Sequence, residues 1–388
     1  MDITNPLEES LNPNSNPNFK PNEEVEDDGY EGIWAGRIAN AIAFPMGRED
    51  NQRDCVPHGF ENRSASAGEG AWVSPSEIAR RLPIKPTNPH APMLLDRMLR
   101  LLASYDMVKC RTVQARENGR TGETESVYAT KPICRFFLSN NNQDSGSVVP
   151  LYLVSQSDVY IKMWLHMKDL ILDGTDPFTR AHGVSLYEYL RRNKPFHELF
   201  HRAMAEHSTM IMKRLLEVYR GFEGVNVLVD VGGSDGTSIA LVTSKYPRMK
   251  GINFDLPDVI AKAPPFPGVE HVAGDMFVEI PKGDAIFTKR SIHGWDDENS
   301  VKILKNCWKS LPEKGKVIIV ETIIPTNPEG GGEYSNFGFD MDVLVCTLLG
   351  GGRERTRAEF EALAKKSGFA RCEFPCRAYY CWVIEFHK

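Results

Sequence analysis

No stretch of about 18 consecutive apolar residues occurs in the chain, so no membrane-crossing helix is expected. Basic residues are not in excess either. The chain has 46 Lys and Arg against 52 Asp and Glu, a formal net charge of -6, which gives a nucleic-acid partner no electrostatic footprint. Paired cysteines are missing: the eight, Cys55, Cys110, Cys134, Cys307, Cys346, Cys372, Cys376 and Cys381, lie far apart and form no CxxC. The N-terminal stretch MDITNPLEESLNPNSNPNFKPNEEVEDD lacks the basic start and apolar core of a secretory signal. Reduced thiols and a cytoplasmic setting are therefore expected, and the Asn62-Arg63-Ser64 glycosylation triplet carries little weight. No internal repeat is visible. No grouping of His, Cys and carboxylates shows metal-ligand spacing, so no metal is expected.

A chain of 388 residues favours two domains. The Asn-, Pro- and acid-rich residues 1–29 suggest a disordered tail. WVSPSEIARRL reads as a helix start, with Ser74 or Ser76 as the cap. MLLDRMLRLLASYDMV, residues 93–108, carries a helical apolar stripe, and RTVQARENGRTGETESVYAT reads as a hairpin with a polar tip. Helices followed by a two-stranded wing suggest a winged-helix-like module. With an acidic chain, packing or dimerisation is favoured over DNA binding. The segment 47–66, GREDNQRDCVPHGFENRSAS, is polar and aperiodic inside this otherwise helical region and reads as loop. Residues 158–220 are mostly helical in pattern. From 225 the strands NVLVDV, GINFDL, DAIFTK and KVIIVE alternate with helical or loop stretches, which predicts a parallel, doubly wound α/β sheet.

In VLVDVGGSDGTS, residues 227–238, an apolar run passes into a glycine turn that opens a helix. Such a turn places backbone N–H groups at the strand's carboxyl end and lets a ligand approach closely. The GxGxxG dinucleotide fingerprint is absent, because residue 234 is Ser. By itself the turn leaves nicotinamide, flavin and S-adenosylmethionine open. Asp255, 19 residues beyond Gly236, ends the second strand and suits two ribose hydroxyls. Asp275-Met276 ends a third segment and suits an adenine amino group and ring face. His293 lies just past the fourth strand and Glu321 ends the fifth. Each has a plainer reading: a strand-end cap for the aspartates, a cap of the helix near Asp296 for His293, a surface ion pair for Glu321. Together, one at each successive strand end, they point to a single site.

These motifs, LVDVGG, GINFDLP, GVEHVAGDMF, PKGDAIFTK, IHGW and GGGRERTRAEFEALAKKSGF, resemble those of the plant caffeic-acid-type O-methyltransferases, and among them the crucifer indole glucosinolate O-methyltransferase group. The resemblance runs from about residue 30 to the end, with a gap at 47–66. It implies a helical dimerisation domain over 30–150 and a Rossmann-like catalytic domain over 151–388 that binds S-adenosylmethionine. It further implies that Gly232, Asp255, Asp275, Met276 and Lys289 line the cofactor site. His293 is then the general base, flanked and oriented by Glu321 and Glu354. Phe196, Phe200, Met204 and His207 match one wall of a phenolic pocket, and Leu344, Val345 and Leu349 match the other.

The chain departs from the pattern in places. Ser234 replaces the usual third glycine, Arg290 the usual Trp, and Gly294 the usual Asp. The usual apolar helix after IANAIAFPM is replaced by polar 47–66, through true divergence or a local reading-frame change. The expectation is methyl transfer from S-adenosylmethionine to a hydroxyl of a small aromatic acceptor, phenylpropanoid or indolic, by a homodimer. N-methylation of an aromatic amine, a catalytically weak dimerising partner and a nicotinamide oxidoreductase are the rivals.

Overall fold

The computed structural model describes residues 72–82, 84–117, 120–131, 134, 137, 146–328 and 333–388. The expected tail, the 47–66 segment, Cys55 and the 62–64 triplet lie outside the described residues. The seven described cysteines are all free. Among the described residues no helix is long and apolar enough to cross a membrane.

Helix α1 (Pro75–Arg81) is capped by Ser74, whose hydroxyl accepts from the Glu77 N–H. Helix α2 (Ala91–Ser104) ends at Ser104, not at 108 as the periodicity suggests. The reason is local: Asp106 takes φ +60, and this left-handed residue turns the chain into the next strand. Strands β1 (Val108–Glu117) and β2 (Arg120–Thr130) form the expected hairpin. Ile78, Leu95 and Leu99 from the helices pack on Val108 and Tyr128 from the hairpin. Tyr128 also donates to Asp96 at 2.7 Å.

Six helices follow: α3 (Val149–Ser155), α4 (Asp158–Trp164), α5 (Met167–Asp173), α6 (Pro177–His182), α7 (Leu186–Arg192) and the long α8 (Lys194–Val218). Side-chain oxygens of Ser157, Asp176, Ser185 and Asn193 cap four of them. Phe178, Leu186, Leu190 and Phe196 bury together where these helices meet.

The second half winds around a seven-stranded sheet. Its strands are β3 (Val227–Val231), β4 (Lys250–Asp255), β5 (Val269–Ala273), β6 (Ala285–Lys289), β7 (Lys316–Thr322), β8 (Arg371–Ala378) and β9 (Cys381–His387), in the spatial order β5-β4-β3-β6-β7-β9-β8. Alternate residues face opposite cores. Val229, Val231, Ile286, Val317 and Ile319 face one side, where helices α11 (Asp297–Ser310) and α13 (Arg357–Lys366) pack. Leu228, Phe287, Ile318 and Val320 face the other, against α8 and α9 (Thr237–Lys245). Burial on both faces is why these strands read as unbroken apolar runs.

One expectation is corrected here: the sheet is not wholly parallel. β9 runs antiparallel to both β7 and β8. Only Tyr379 and Tyr380 separate β8 from β9, with Tyr379 at φ +54. A link that short closes a hairpin but cannot cross over to a parallel neighbour. Among the described residues, the remaining α-helices are the short α10 (Pro257–Ile260) and α12 (Glu333–Leu349).

Candidate active site

The chain leaves β3 for β4 and β5 on one side of the sheet, and for β6 and β7 on the other. The carboxyl ends of β3 and β6 flank this reversal, where open α/β sheets bind ligands. The loops after these two strands touch: a Cβ added at Gly232 would lie 3.0 Å from Ser291 Oγ.

Gly232 adopts φ +72 and donates its N–H to the Phe254 carbonyl at 2.9 Å. Any side chain at Gly233 would collide with Asn253 Oδ1, 2.1 Å from the added Cβ, so that position has room only for glycine. Ser234 sits at φ +55, the left-handed conformation that explains a glycine preference there. Its N–H donates to Asp255 Oδ2 at 2.9 Å, and the Leu256 N–H donates to Oδ1 at 2.7 Å. Both oxygens are thereby fixed, and each keeps a lone pair for an incoming hydroxyl. Asp275 is exposed past the end of β5, where its Oδ1 accepts from the Phe277 N–H at 2.8 Å. Met276 is half-buried beside it against the sheet core.

Two ionisable groups lie beneath the turn. Asp230, on β3, is buried, and its Oδ2 has no hydrogen-bond partner. Burial pushes its carboxyl up to about 7, against the pull of Lys289. Lys289, ending β6, donates to Ser208 Oγ at 2.6 Å, and burial lowers its pKa. Asp230 interrupts the apolar run VLVDV, and no strand-end motif marks it. Its signal was a lone carboxylate inside a buried strand.

His293 occupies a short 3₁₀ turn, Ile292–Gly294. It does not cap the helix that follows: Asp296 does, accepting the Asn299 N–H at 2.8 Å. The His293 ring instead directs Nδ1 to Glu354 Oε1 at 3.2 Å. Glu321, fully buried, serves the same turn differently. Its Oε1 accepts the N–H groups of Ser291, Ile292 and His293 at 2.9, 2.9 and 3.3 Å. So Glu354 meets the ring, while Glu321 holds the main chain that carries it.

Arg290 joins this group from φ +52, donating to Glu354 Oε1 at 2.6 Å and to Thr322 Oγ1 at 2.8 Å. Burial alone would raise the Glu354 carboxyl. Arg290 and His293 outweigh it and hold the carboxyl below its ordinary value.

The proposed pocket residues divide. Phe196, Phe200, Met204, Leu344 and Leu349 share one apolar cluster. Val345 and Leu349 both approach the His293 turn, since a Cβ at Gly352 would meet Val345 Cγ1, Leu349 Cβ and the His293 carbonyl. His207 is buried on α8. Its Nε2 pairs with the Tyr380 hydroxyl, and burial followed by Lys289 and Arg290 lowers its pKa to about 3. That imidazole is neutral at physiological pH. Tyr380, stacked on His207 and tilted against Phe337, has no signal in the sequence beyond its place in an aromatic hairpin turn.

Folding also gathers metal-ligand types that chain spacing does not reveal. Among the described residues, His293, Glu321 and Glu354 form one group, and Glu373, Glu385 and His387 another. In each, the ligand atoms lie within 4.8 Å of one another. In the first, the Arg290 guanidinium already provides the cation.

A sheet in this order, with its reversed strand next to one edge and carboxylates at the ends of β4 and β5, defines the Rossmann-like class of methyltransferases that use S-adenosylmethionine. The residues present fit that cofactor. The close approach at Gly232 and Gly233, the fixed Asp255 carboxylate and the unpartnered Asp230 Oδ2 are features that would suit a polar adenosyl group.

Comparison with known proteins narrows the class. The O-methyltransferase domain model matches residues 164–370 and the O-methyltransferase dimerisation domain model matches residues 65–140. The chain is 51% identical over 366 residues to indole glucosinolate O-methyltransferase 3 of Arabidopsis thaliana, covering 94% of this chain and 95% of that one. It is 45% identical over 365 residues to caffeic acid 3-O-methyltransferase of Capsicum annuum, covering 94% and 98%. The crystal structure of human N-acetylserotonin methyltransferase in complex with SAM shares the fold, with a TM-score of 0.69 at 18% identity over 95% of this chain and 99% of that one. The protein belongs to the plant O-methyltransferase family and is an S-adenosylmethionine-dependent O-methyltransferase.

Proposed function

We propose that the acceptor is a small aromatic compound, phenylpropanoid or indolic, and that His293 takes the proton from its hydroxyl. The observation that carries this reading is the state of the His293 ring. Nδ1 faces an ionised Glu354, while Nε2 has no hydrogen-bond partner among the described residues. That leaves one nitrogen oriented and the other open. The Arabidopsis and Capsicum relatives, an indole glucosinolate and a caffeic acid O-methyltransferase, support the acceptor class.

The chemistry follows from ordinary values. A phenol has a pKa near 10 and is mostly protonated at neutral pH. Removing its proton during attack makes the oxygen nucleophilic, and His is suited to that task. Bound S-adenosylmethionine supplies a methyl already activated on a sulfonium. The protein's tasks are then orientation and deprotonation. Asp255 would hold the ribose hydroxyls, Asp275 and Met276 the adenine, and Gly232 the close backbone contact, with Lys289 lining the same site. Phe196, Phe200, Met204, His207, Leu344, Val345 and Leu349 would shape the acceptor pocket. Glu354 fixes the His293 tautomer and stabilises the imidazolium as it forms.

The test is a screen of aromatic hydroxyl and amine compounds with a labelled methyl donor, using pure protein. Label transferred to hydroxyls supports the reading, and label on amines alone overturns it. We further propose a homodimer formed through residues before about 150, consistent with the dimerisation domain match. Sedimentation at micromolar concentration should show twice the chain mass, and a monomer would refute it.

A further inference from the structure

The turn that carries His293 is gripped at both ends by buried charge. Glu321 takes its N–H groups, as described above. Arg355 takes its carbonyls: Nη1 donates to the Ile292 oxygen at 3.2 Å and Nη2 to the Trp295 oxygen at 2.7 Å. This places the anion at the N–H end of the turn and the cation at the carbonyl end, the arrangement its peptide dipoles favour. Arg355 is 1% exposed. Its guanidinium is fixed by Asp297 Oδ1, at 3.1 Å from Nε and 3.0 Å from Nη2, and by Ser300 Oγ at 3.2 Å.

Three consecutive residues thus reach one histidine. The Arg353 N–H donates to the His293 carbonyl at 2.7 Å, Glu354 meets the ring, and Arg355 holds the carbonyls on either side. The strap is anchored at its far end, where Thr356 and Glu359 form a capping box on α13. Burying an arginine against one carboxylate adds little stability by itself. What it supplies here is direction, since a planar fork can address two carbonyls at once and an ammonium cannot.

We propose that Arg355 is a positioning residue for methyl transfer, setting the place and angle of the His293 ring through the carbonyls of Ile292 and Trp295. The proposal rests on the reading of His293 as the base. Arg355→Lys keeps the charge but loses the fork. It should lower kcat about 10- to 100-fold, the scale of a misplaced catalytic group. The acceptor KM and the Kd for S-adenosylmethionine should stay within about twofold, since cofactor site and pocket are untouched. Amide hydrogen exchange should speed up at 291–295 and not in β3 or β4.

The separating measurement is a double-mutant cycle. If Arg355 acts through the ring, Arg355→Lys combined with His293→Gln should lose no more than His293→Gln alone. Asp297→Asn, at a half-exposed position, loosens the guanidinium without removing it. It should reproduce the same pattern at a smaller, severalfold loss, and it serves if Arg355→Lys does not fold. Losses that add in full, or parent kcat in both single variants beside an inactive His293→Gln, overturn this proposal alone. A His293→Gln protein with parent turnover overturns the base reading instead.

Discussion

Nδ1 of His293 lies 3.2 Å from Oε1 of Glu354, a residue 61 positions further along the chain. The same oxygen accepts from Arg290 at 2.6 Å. The buried carboxylate is held below its ordinary pKa by the Arg290 guanidinium and by its contact with the His293 ring, and it holds the ring by one nitrogen while the other stays open.

Replacing His293 by Gln should cut turnover about 10²- to 10⁴-fold, the usual worth of a positioned proton transfer. The melting temperature and the affinity for S-adenosylmethionine should hardly move, because Asp296, not His293, caps α11. Glu354→Gln should show a smaller loss of turnover. Turnover and melting measured on one preparation check both, and a His293→Gln protein at parent rate excludes the base.

Asp255→Ala should weaken S-adenosylmethionine binding by about 1–3 kcal/mol, the cost of leaving ribose hydroxyls without a charged acceptor. It also frees the Ser234 and Leu256 N–H groups, which are otherwise bound at 2.9 and 2.7 Å. Calorimetric titration reads the change directly, and unchanged affinity would refute the ribose assignment.

Ser234→Gly should stabilise the protein. A side chain at φ +55 costs about 1–2 kcal/mol, while glycine's extra unfolded-state entropy costs about 0.5–1 kcal/mol. A net gain of about 0.5–1 kcal/mol should appear as a higher denaturation midpoint. A lower midpoint would mean that Ser234 makes a stabilising contact outweighing its strain.

Asp230 makes stability depend on pH. Its carboxyl is raised from 3.8 unfolded to about 7 folded, so the native state binds the proton more tightly than the unfolded chain. Stability of the cofactor-free protein should therefore fall as pH rises between about 4 and 7. Asp230→Asn removes this dependence, so its stability relative to the parent should improve from pH 5 to pH 8. Melting curves at the two pH values decide, and a constant difference would rule out the titration.

Strands β3 to β7, the glycine turn and the strand-end residues Asp255, Asp275, His293 and Glu321 are legible in the chain, because strand ends and turns are local properties of backbone and side-chain pattern, whereas β8 and β9 are not read as strands there. The hairpin after α2 is legible too. What the sequence could not give is which groups face each other across the fold. That Glu321 grips main-chain N–H groups while Glu354 alone meets the ring depends on how the strap after α12 crosses the end of β7. The reversal of β9 depends on a two-residue link whose geometry a strand pattern does not encode. His207 meets Tyr380, 173 positions distant, a pairing that no local pattern announces. The roles of Asp230, Arg290 and Arg355 are invisible in one dimension for the same reason. Their charges acquire meaning only when burial removes water and packing sets the partners, and both are decided by contacts between distant parts of the chain.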